Sequence, residues 1–327
     1  MAVTLEQAKL DVQDALQMGV IDEFRKSSFL LDNLTFDDCV SPTGGGATLT
    51  YGYTRLITQP TAAFRAVNTE YVPQEVTKQR YTVDLKVFGG SFQIDRVISN
   101  MGGIVDEVSL QMSQKIKAAK SLFHNTVING NSTADENAFD GLDVALTGSD
   151  TEWNTGTSKI IDFTTTVNIE ANAGKFLLLL NKALKKLDGK PTAIMGNGDM
   201  ISVLEYIAKV TGKYQETKDE WGTNVSTYNW IPLIDLGAKC GSNDDVVKTE
   251  TLGSYAGCTS IYIARFALDG FHAISMAGVP PVQSWLPDFT TAGSLKTGEV
   301  EMVAAVALKA TKAAGVFRGL KVVPTAG

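Results

Sequence analysis

The sequence YTVDLKVFGGSFQIDR, residues 81–96, places the strongest constraint on how this chain can fold. Apolar side chains occupy every second position on both sides of Gly89-Gly90, which predicts a β-ribbon with one apolar face. The glycine pair is typical either of a two-residue hairpin turn or of a bend within one long strand. In both cases the apolar face needs a surface to pack against, because an isolated ribbon is only marginally stable in water.

This ribbon closes a longer region, residues 47–98, that follows Gly44-Gly45-Gly46 and is rich in Thr, Tyr and Val. The region carries six basic and four acidic residues, a charge of +2, whereas the whole chain carries −7. We therefore expect a mildly basic β-arm beside an acidic body. If the body of the same chain does not cover the apolar side of the arm, another copy must.

The clearest helix in the sequence follows this arm. Apolar residues recur three or four positions apart from about residue 104 to residue 128, which predicts one continuous helix. Asp106 and Glu107 lie where the helix dipole favours acidic side chains, and Asn129-Gly130 is a typical C-terminal stop. At roughly 1.5 Å per residue, this helix would be about 35 Å long.

Helices and strands are both expected in the rest of the chain. We predict a helix at 173–187, a buried strand in PTAIMG and a second helix at 199–210 that Asn197 or Asp199 could cap. Beyond residue 229, the segments WIPLIDLG, TSIYIARF and FHAISMAG predict strands. The C-terminal segment VEMVAAVALKATKAAGVFRGLKVV fits a strand or a helix. KIIDFTTTVN, before the first of these helices, is strand-like.

No catalytic constellation is found in the sequence. His124 and His272 have no carboxylate or Cys at ligand spacing, so we interpret them as satisfied structural residues. GNGDMI lacks the third glycine of a dinucleotide-binding loop, and no HExxH, CxxC, GxSxG or P-loop motif occurs. We expect no enzyme activity, no catalytic residue, no metal and no other cofactor. Four acidic residues near residue 140 lack the spacing of a calcium loop and predict a solvated surface: Asp135, Glu136, Asp140 and Asp143.

Composition excludes several other classes of protein. The chain has 29 basic and 36 acidic residues, which does not favour tight binding to nucleic acid phosphates. The first ten residues lack the apolar core of a signal peptide, and no apolar run approaches the ~20 residues of a membrane span. Cys39, Cys240 and Cys258 are odd in number and far apart, which predicts free thiols in a reducing compartment.

The order of these elements resembles the major capsid protein of tailed bacteriophages. The likeness rests on TEYVP at 69–73, the ribbon at 81–96, VING at 127–130 and FDGL at 139–142. Later, IMGNGDMISVLEYIAKVTG resembles the strand–helix unit of that family's axial domain, and SIYIARFALDGFHAIS resembles its late strands. The likeness covers nearly the whole chain, and its specificity lies in the order and spacing of the motifs.

The resemblance implies an α+β fold with an N-terminal arm, an extended β-loop, a peripheral domain with a long spine helix, and an axial domain. The expected bounds are 1–46 for the arm, 47–98 for the loop, 99–190 with 298–327 for the peripheral domain, about 104–128 for the spine helix, and 191–297 for the axial domain. The ribbon would be one bent strand, with residues 81–88 in the loop and 91–96 running back to the spine helix.

The resemblance also implies a function. We expect a structural protein that assembles through pentamers and hexamers into an icosahedral head shell around phage double-stranded DNA, without sequence-specific DNA binding. It would be found in the virion and assembled in the host cytoplasm, with no membrane contact. Cleavage of a leading segment is not expected. We therefore expect a separate scaffold protein as a partner, together with a portal and optional decoration proteins.

The extended loop would lie over a neighbouring subunit, and attraction between the basic arm and the acidic body would set the register of this contact. Five basic residues of the loop are the expected inter-subunit contacts: Arg55, Arg65, Lys78, Arg80 and Lys86. Cross-linking of subunits through Lys and Asn is not expected, because no motif marks a partner Asn or a catalytic Glu.

Two other interpretations stay open. An encapsulin-type compartment shares this fold and encloses cargo enzymes, and neighbouring genes would distinguish it from a phage shell. An α/β enzyme built on the strand–helix units would need a cluster of polar residues, and the sequence does not indicate one.

Overall fold

The structure is a computed structural model that describes residues 29–40, 48–100, 106–212, 215–218, 224–242 and 244–323. Its helices are α1 (Phe29–Asn33), α2 (Arg96–Ser99), α3 (Glu107–Asn129), α4 (Leu142–Leu146), α5 (Thr166–Leu184) and α6 (Gly198–Val210). Its strands are β1 (Phe36–Val40), β2 (Thr50–Leu56), β3 (Lys78–Asp84), β4 (Lys86–Asp95), β5 (Glu152–Trp153), β6 (Ile161–Asp162), β7 (Ala193–Gly196), β8 (Gln215–Lys218), β9 (Asn224–Tyr228), β10 (Ile231–Asp235), β11 (Glu250–Leu252), β12 (Tyr255–Ala264), β13 (Phe271–Met276), β14 (Val282–Trp285), β15 (Leu295–Leu308) and β16 (Ala314–Lys321).

The first sheet is organised by the long strand β15. Along one edge β15 pairs with β4 in antiparallel register from Leu295↔Asp95 to Ala304↔Lys86. Along its other edge it pairs with β14 and then with β13, which in turn pairs with β1. The spine helix α3 packs on this sheet, where its Met112 and Ala119 contact a cluster that includes Phe92 and Ile94 of β4.

The second sheet follows the order β5-β16-β12-β7-β10-β9-β8, with β11 added to β12 and β6 to β16. Helices α5 and α6 pack on it and share one buried cluster with its central strands. All four residues of β7 are buried, as expected for PTAIMG. The predicted domain bounds at residues 190 and 298 stay a prediction.

The opening ribbon is a bent pair of strands and not a hairpin, but its break lies at Leu85 and not at Gly89-Gly90. The buried Leu85 separates β3 from β4, and its N–H donates to the carbonyl of Leu49 at 2.8 Å. Strand β4 then runs uninterrupted through the glycine pair. Residues 86–88, expected in the loop, therefore belong to the first sheet, and Phe92 and Ile94 are covered by their own chain.

Gly89 is required by the close approach of two strands. A β-carbon at this position would lie 2.0 Å from the carbonyl oxygen of Val300 in β15, far below any allowed contact. At the neighbouring Gly90 a β-carbon would meet only the flexible side chain of Lys115, at 3.6 Å. The first glycine thus permits the pairing of β4 with β15, while the second does not limit it.

The spine helix begins and ends where the sequence indicates. The Asp106 carboxylate accepts hydrogen bonds from the N–H groups of Val108 and Ser109, which caps the helix. Gly130 follows its last residue, but with a φ of −58° it is not in the left-handed conformation of a usual glycine stop. Glycine fits there because a β-carbon would lie 2.2 Å from the Phe139 carbonyl oxygen. Residues 104 and 105 lie outside the described part of the chain.

Other elements differ in their bounds from the sequence prediction. Helix α5 starts at Thr166, because the Thr165 hydroxyl caps the N–H of Asn168, so the strand expected in KIIDFTTTVN is reduced to Ile161–Asp162. Asn197, one of two expected caps, accepts from the Met200 N–H at the start of α6. The ambiguous C-terminal segment forms the two strands β15 and β16.

We predict that Gly89→Ala lowers the free energy of unfolding by about 3 kcal/mol, because two backbones must separate to admit one methyl group. Gly90→Ala is the matched control and should change stability by less than about 1 kcal/mol. Urea unfolding followed by circular dichroism measures both. Equal stability of the two variants would contradict the role given to Gly89.

Candidate assembly surface

Strands β2 and β3 form an antiparallel hairpin, called here the loop hairpin, that leaves the body of the molecule. Its register runs from Thr50↔Asp84 next to the body to Leu56↔Lys78. The inner end packs on the first sheet, where Tyr51 and Leu85 share a buried cluster with Val303 of β15. The hairpin is thus a continuation of β4, with one end fixed in the core.

Polar contacts fix the same inner end. The Tyr51 hydroxyl donates to the Asp37 carboxylate at 2.8 Å, and the ammonium of Lys309 lies 3.6 Å from the same carboxylate oxygen. The Tyr53 hydroxyl donates to the carbonyl of Leu308 at 3.2 Å. These contacts tie β2 to β1 and to the end of β15, and sequence reasoning did not find them because the partners lie far apart along the chain.

Arg55 completes this attachment. Its Nε donates to the carbonyl of Lys309 at 2.8 Å, and its Nη2 donates to the Leu308 carbonyl. Its guanidinium lies 4.3 Å from the centre of the Tyr81 ring, within the range of a cation–π contact. Arg55 therefore bonds to its own chain, at the point where the hairpin leaves the body.

The outer loop, defined as residues 56–80, has no cover in the single chain: every one of its residues is exposed. Hydrogen bonds join the two sides of the loop. The Ile57 N–H donates to the Thr77 carbonyl at 2.9 Å, and the Thr61 N–H donates to the Gln74 side chain at 2.6 Å. Seven large apolar or aromatic side chains lie exposed on it: Leu56, Ile57, Phe64, Val67, Tyr71, Val72 and Val76. This density of exposed apolar side chains is typical of an interaction surface.

The five basic residues expected at subunit contacts are not brought together. Arg65, Lys78 and Arg80 lie on the exposed outer loop, where the Arg65 guanidinium is 5.4 Å from the centre of the Tyr71 ring. Arg55 contacts its own body, and the Lys86 ammonium donates to the carbonyl of Glu136 at 2.8 Å. Arg65, Lys78 and Arg80 thus remain on the exposed surface that a second chain can reach.

Comparison with solved structures reveals the same architecture over nearly the whole chain. The capsid of a native GTA particle has a TM-score of 0.65 and 11% identity, and the match covers 97% of this chain and 98% of that one. The capsid of Myoviridae phage XM1 has a TM-score of 0.60 and 10% identity, covering 94% and 97%. An encapsulin, from the holo-SrpI complex of Synechococcus elongatus, has a TM-score of 0.60 and 14% identity, covering 100% and 99%.

This chain has the tailed-phage capsid fold. Phage capsid proteins share that fold with encapsulins, and the expected α+β class and family likeness are confirmed at the level of structure. At the level of sequence, no family model and no curated protein matches. The chain thus has this fold although its sequence is at most 14% identical to these three solved structures.

His124 and His272 are both buried. The expectation that their ring nitrogens are satisfied by hydrogen bonds was wrong within the described residues. The Nε2 atoms of His124 and His272 have no hydrogen-bond partner there. An oxygen of the Asp37 carboxylate lies 3.9 Å from Nε2 of His272. Burial lowers the pKa of His272, and the nearby Lys309 ammonium lowers it further. Both rings are therefore neutral at pH 7.

The acidic residues near residue 140 serve local structure. The Asp140 carboxylate accepts from the Ser132 N–H at 2.7 Å, and that of Asp135 from the Asn137 N–H at 2.9 Å. Asp143 lies 2.8 Å from Nη1 of Arg318, a residue that also donates to Glu152. Among the residues that the structure describes, no group of three His, Cys, Asp or Glu side chains is arranged to hold a metal ion.

None of the described helices combines the length and the apolar character that crossing a bilayer requires. Cys240 and Cys258 are free thiols, and the side chain of Cys39 lies outside the described part of the structure.

We predict that acid destabilises the fold through His124. Its pKa is lowered from 6.5 to about 4 because burial disfavours the charged ring, although Asp32 of α1 opposes this. As the pH falls below about 6.5 the unfolded chain binds the proton first, so stability decreases until about pH 4. The total loss should be on the order of 3 kcal/mol. His124→Leu should remove most of this dependence in urea unfolding at pH 7 and pH 4.5; an unchanged difference between the two pH values would contradict the assignment.

Proposed function

We propose that this protein is the structural subunit of an icosahedral shell, assembled from pentamers and hexamers of the same chain. The observation that carries this proposal is the outer loop, which exposes seven large apolar or aromatic side chains at the end of an anchored hairpin. A single chain gains nothing from holding such a surface away from its core. A neighbouring copy that covers the loop gives the exposed side chains the burial that their own body does not provide.

The magnitudes favour apolar contact as the main source of association. Burying one large apolar side chain is worth about 1.5–3 kcal/mol, so the outer loop offers on the order of 10 kcal/mol before the costs of association. An exposed ion pair contributes roughly 0.2–1 kcal/mol. Arg65, Lys78 and Arg80 would therefore select the register of the loop on an acidic neighbour, while the apolar side chains supply the stability.

The anchored inner end gives the loop a defined direction. Tyr51, Tyr53 and Arg55 hold β2 on the body, so the loop can be presented without a large ordering cost on binding. Closed symmetry then multiplies a modest contact over many copies, which makes assembly cooperative. In this proposal the peripheral domain with α3 forms the wall, and the axial domain meets its copies around the pentamer and hexamer centres.

We infer that the shell is a phage head that encloses double-stranded DNA, assembled in the host cytoplasm and carried in the virion. A separate scaffold protein, a portal and decoration proteins are its proposed partners. The net charge of −7 suits a container that does not bind its cargo tightly. The phage and GTA capsids among the similar structures support this choice.

An encapsulin-type shell around cargo enzymes is the second candidate, favoured by the match to the Synechococcus encapsulin along the full length of both chains. Purified shells distinguish the two. Packaged double-stranded DNA, with portal and terminase genes beside this gene, supports the phage head. A co-purifying enzyme with its gene alongside supports the encapsulin-type compartment.

We predict that shortening the loop abolishes shells without unfolding the subunit. Residues 57–77 are replaced by Asn-Gly, which suits a two-residue turn between the paired residues Leu56 and Lys78. Negative-stain microscopy and sedimentation should show closed shells for the parent and single, unassembled subunits for the variant, with a folded circular dichroism spectrum for both. Normal shells from the shortened variant would overturn the proposed role of the loop.

Reversal of charge tests the proposed register. Arg65→Glu combined with Arg80→Glu should impair shell assembly while the subunit stays folded, because both residues are exposed and remote from the core. Arg65→Lys combined with Arg80→Lys keeps the charge and is the matched control, which should assemble. Sedimentation at low and high salt measures the effect, and shells of normal yield from the Glu pair would rule out this role.

A further inference from the structure

A basic groove, away from the loop hairpin, is lined by α5 and by the paired residues Trp153 of β5 and Phe317 of β16. It encloses about 420 Å³, the size of a small-ligand pocket. Four lysines line it: Lys175 and Lys182 of α5, Lys186 just beyond the end of α5, and Lys159. The rings of Trp153 and Phe317 contribute to an apolar floor. The groove thus combines four positive charges with an apolar base.

This concentration of positive charge is unusual for the chain. None of the residues that line the groove is acidic, although the whole chain carries −7. Lys182 lies in the last turn of α5, and Lys186 lies two residues beyond its end, so both positive charges lie at the same end of the groove. The helix dipole accounts for lysines in the last turn of α5, but not for Lys175 or Lys159. An anionic partner in the groove would offset these positive charges.

Trp153 supplies a second sign of an occupant. Its ring lies directly on Gly315, where a β-carbon would come within 2.4 Å of it. Its indole N–H is buried and has no acceptor among the described residues. An indole nitrogen is a donor only, and a buried donor without an acceptor is costly. A carboxylate or carbonyl oxygen entering the groove would satisfy it.

A series of contacts connects the start of the described chain with the segment that includes Lys186. The Phe29 ring packs on that of Phe266, with ring centres 6.2 Å apart. The residue before it, Arg265, donates its N–H to the Ala313 carbonyl at 2.8 Å, and the N–H of Asp188 donates to the carbonyl of Lys312 at 2.8 Å. These steps lead from the start of α1 to the Lys186 end of the groove.

The sequence that precedes Phe29 has the complementary chemistry. Residues 1–24 contain five acidic side chains and one lysine, a charge of −4 without the terminal amine, and Arg25 and Lys26 then bring the charge of residues 1–28 to −2. Leu5, Val12 and Leu16 recur among these acids and match the apolar floor. At up to about 3.3 Å per residue, 28 residues are more than long enough to reach a groove on the same molecule.

We propose that residues 1–24 of this chain occupy the basic groove of the same molecule, with carboxylates on the four lysines and apolar side chains on Trp153 and Phe317. This contact would cover the basic face of α5 and fix the N-terminal segment beside the second sheet. It concerns the single chain, so it stands or falls separately from the shell and from the outer loop.

Zero-length carbodiimide cross-linking of the full chain tests the proposal, because it joins only carboxylates and amines in contact. An equal mixture of ¹⁴N- and ¹⁵N-labelled protein shows which copies are joined. We expect amide links from Asp11 or Asp14 to Lys175, Lys182 or Lys186 between peptides of the same isotope. Links that join different isotopes, or links no more frequent than those to Lys185 and Lys190 outside the groove, would overturn it.

Hydrogen exchange gives an independent measurement. In the variant Lys175→Glu, Lys182→Glu, the amides of residues 5–20 should exchange at least several-fold faster than in the parent. The control variant Lys185→Glu, Lys190→Glu should exchange like the parent. Adding Asp11→Lys and Asp14→Lys to the first variant should restore slow exchange. Equal exchange in all four proteins would contradict the proposed docking.

Discussion

The pairing of β15 with its neighbours is the interaction on which the rest of this structure depends. This one strand carries β4 along one edge and β14 and β13 along the other, and α3 packs on the sheet they form. Because β4 continues into the loop hairpin, the pairing also sets where the loop leaves the body. The close contact at Gly89 shows how tightly two backbones must approach for this arrangement.

Periodicity predicted much of this fold because its signals are local. The spine helix, the buried strand β7 and the cap at Asn197 each follow from residues within one short segment. The break at Leu85 could not be placed this way, since the alternation of side chains is the same in β3 and β4. Only the partner strand changes there, from β2 to β15, and partner choice is a long-range property.

Only part of the candidate assembly surface could be predicted, because contacts between distant parts of the chain leave no local pattern in the sequence. The sequence indicated an extended basic arm, but it could not separate residues that hold the arm from residues that project from it. Arg55 looks like Arg65 in the sequence, yet Arg55 contacts carbonyl groups at the end of β15, more than 250 positions away. The Arg318 contacts with Asp143 and Glu152 are equally invisible to local patterns.

Two surfaces of this molecule thus carry side chains that the described chain does not cover or pair: the apolar outer loop and the basic groove beside α5. The first is proposed to meet a neighbouring copy, and the second the N-terminal segment of its own chain. These contacts would complement one another, because one joins subunits and the other completes the surface of each. The capsid fold provides the framework for both, while the particular side chains decide what each surface binds.

Hydroxyl-radical footprinting of Phe64 and Tyr71 tests the central claim most directly, because it measures how far water reaches these two rings of the outer loop. Both rings should be oxidised several-fold more slowly in assembled particles than in dissociated subunits. Equal oxidation in the two states would contradict the claim, since the loop would then remain uncovered in the shell.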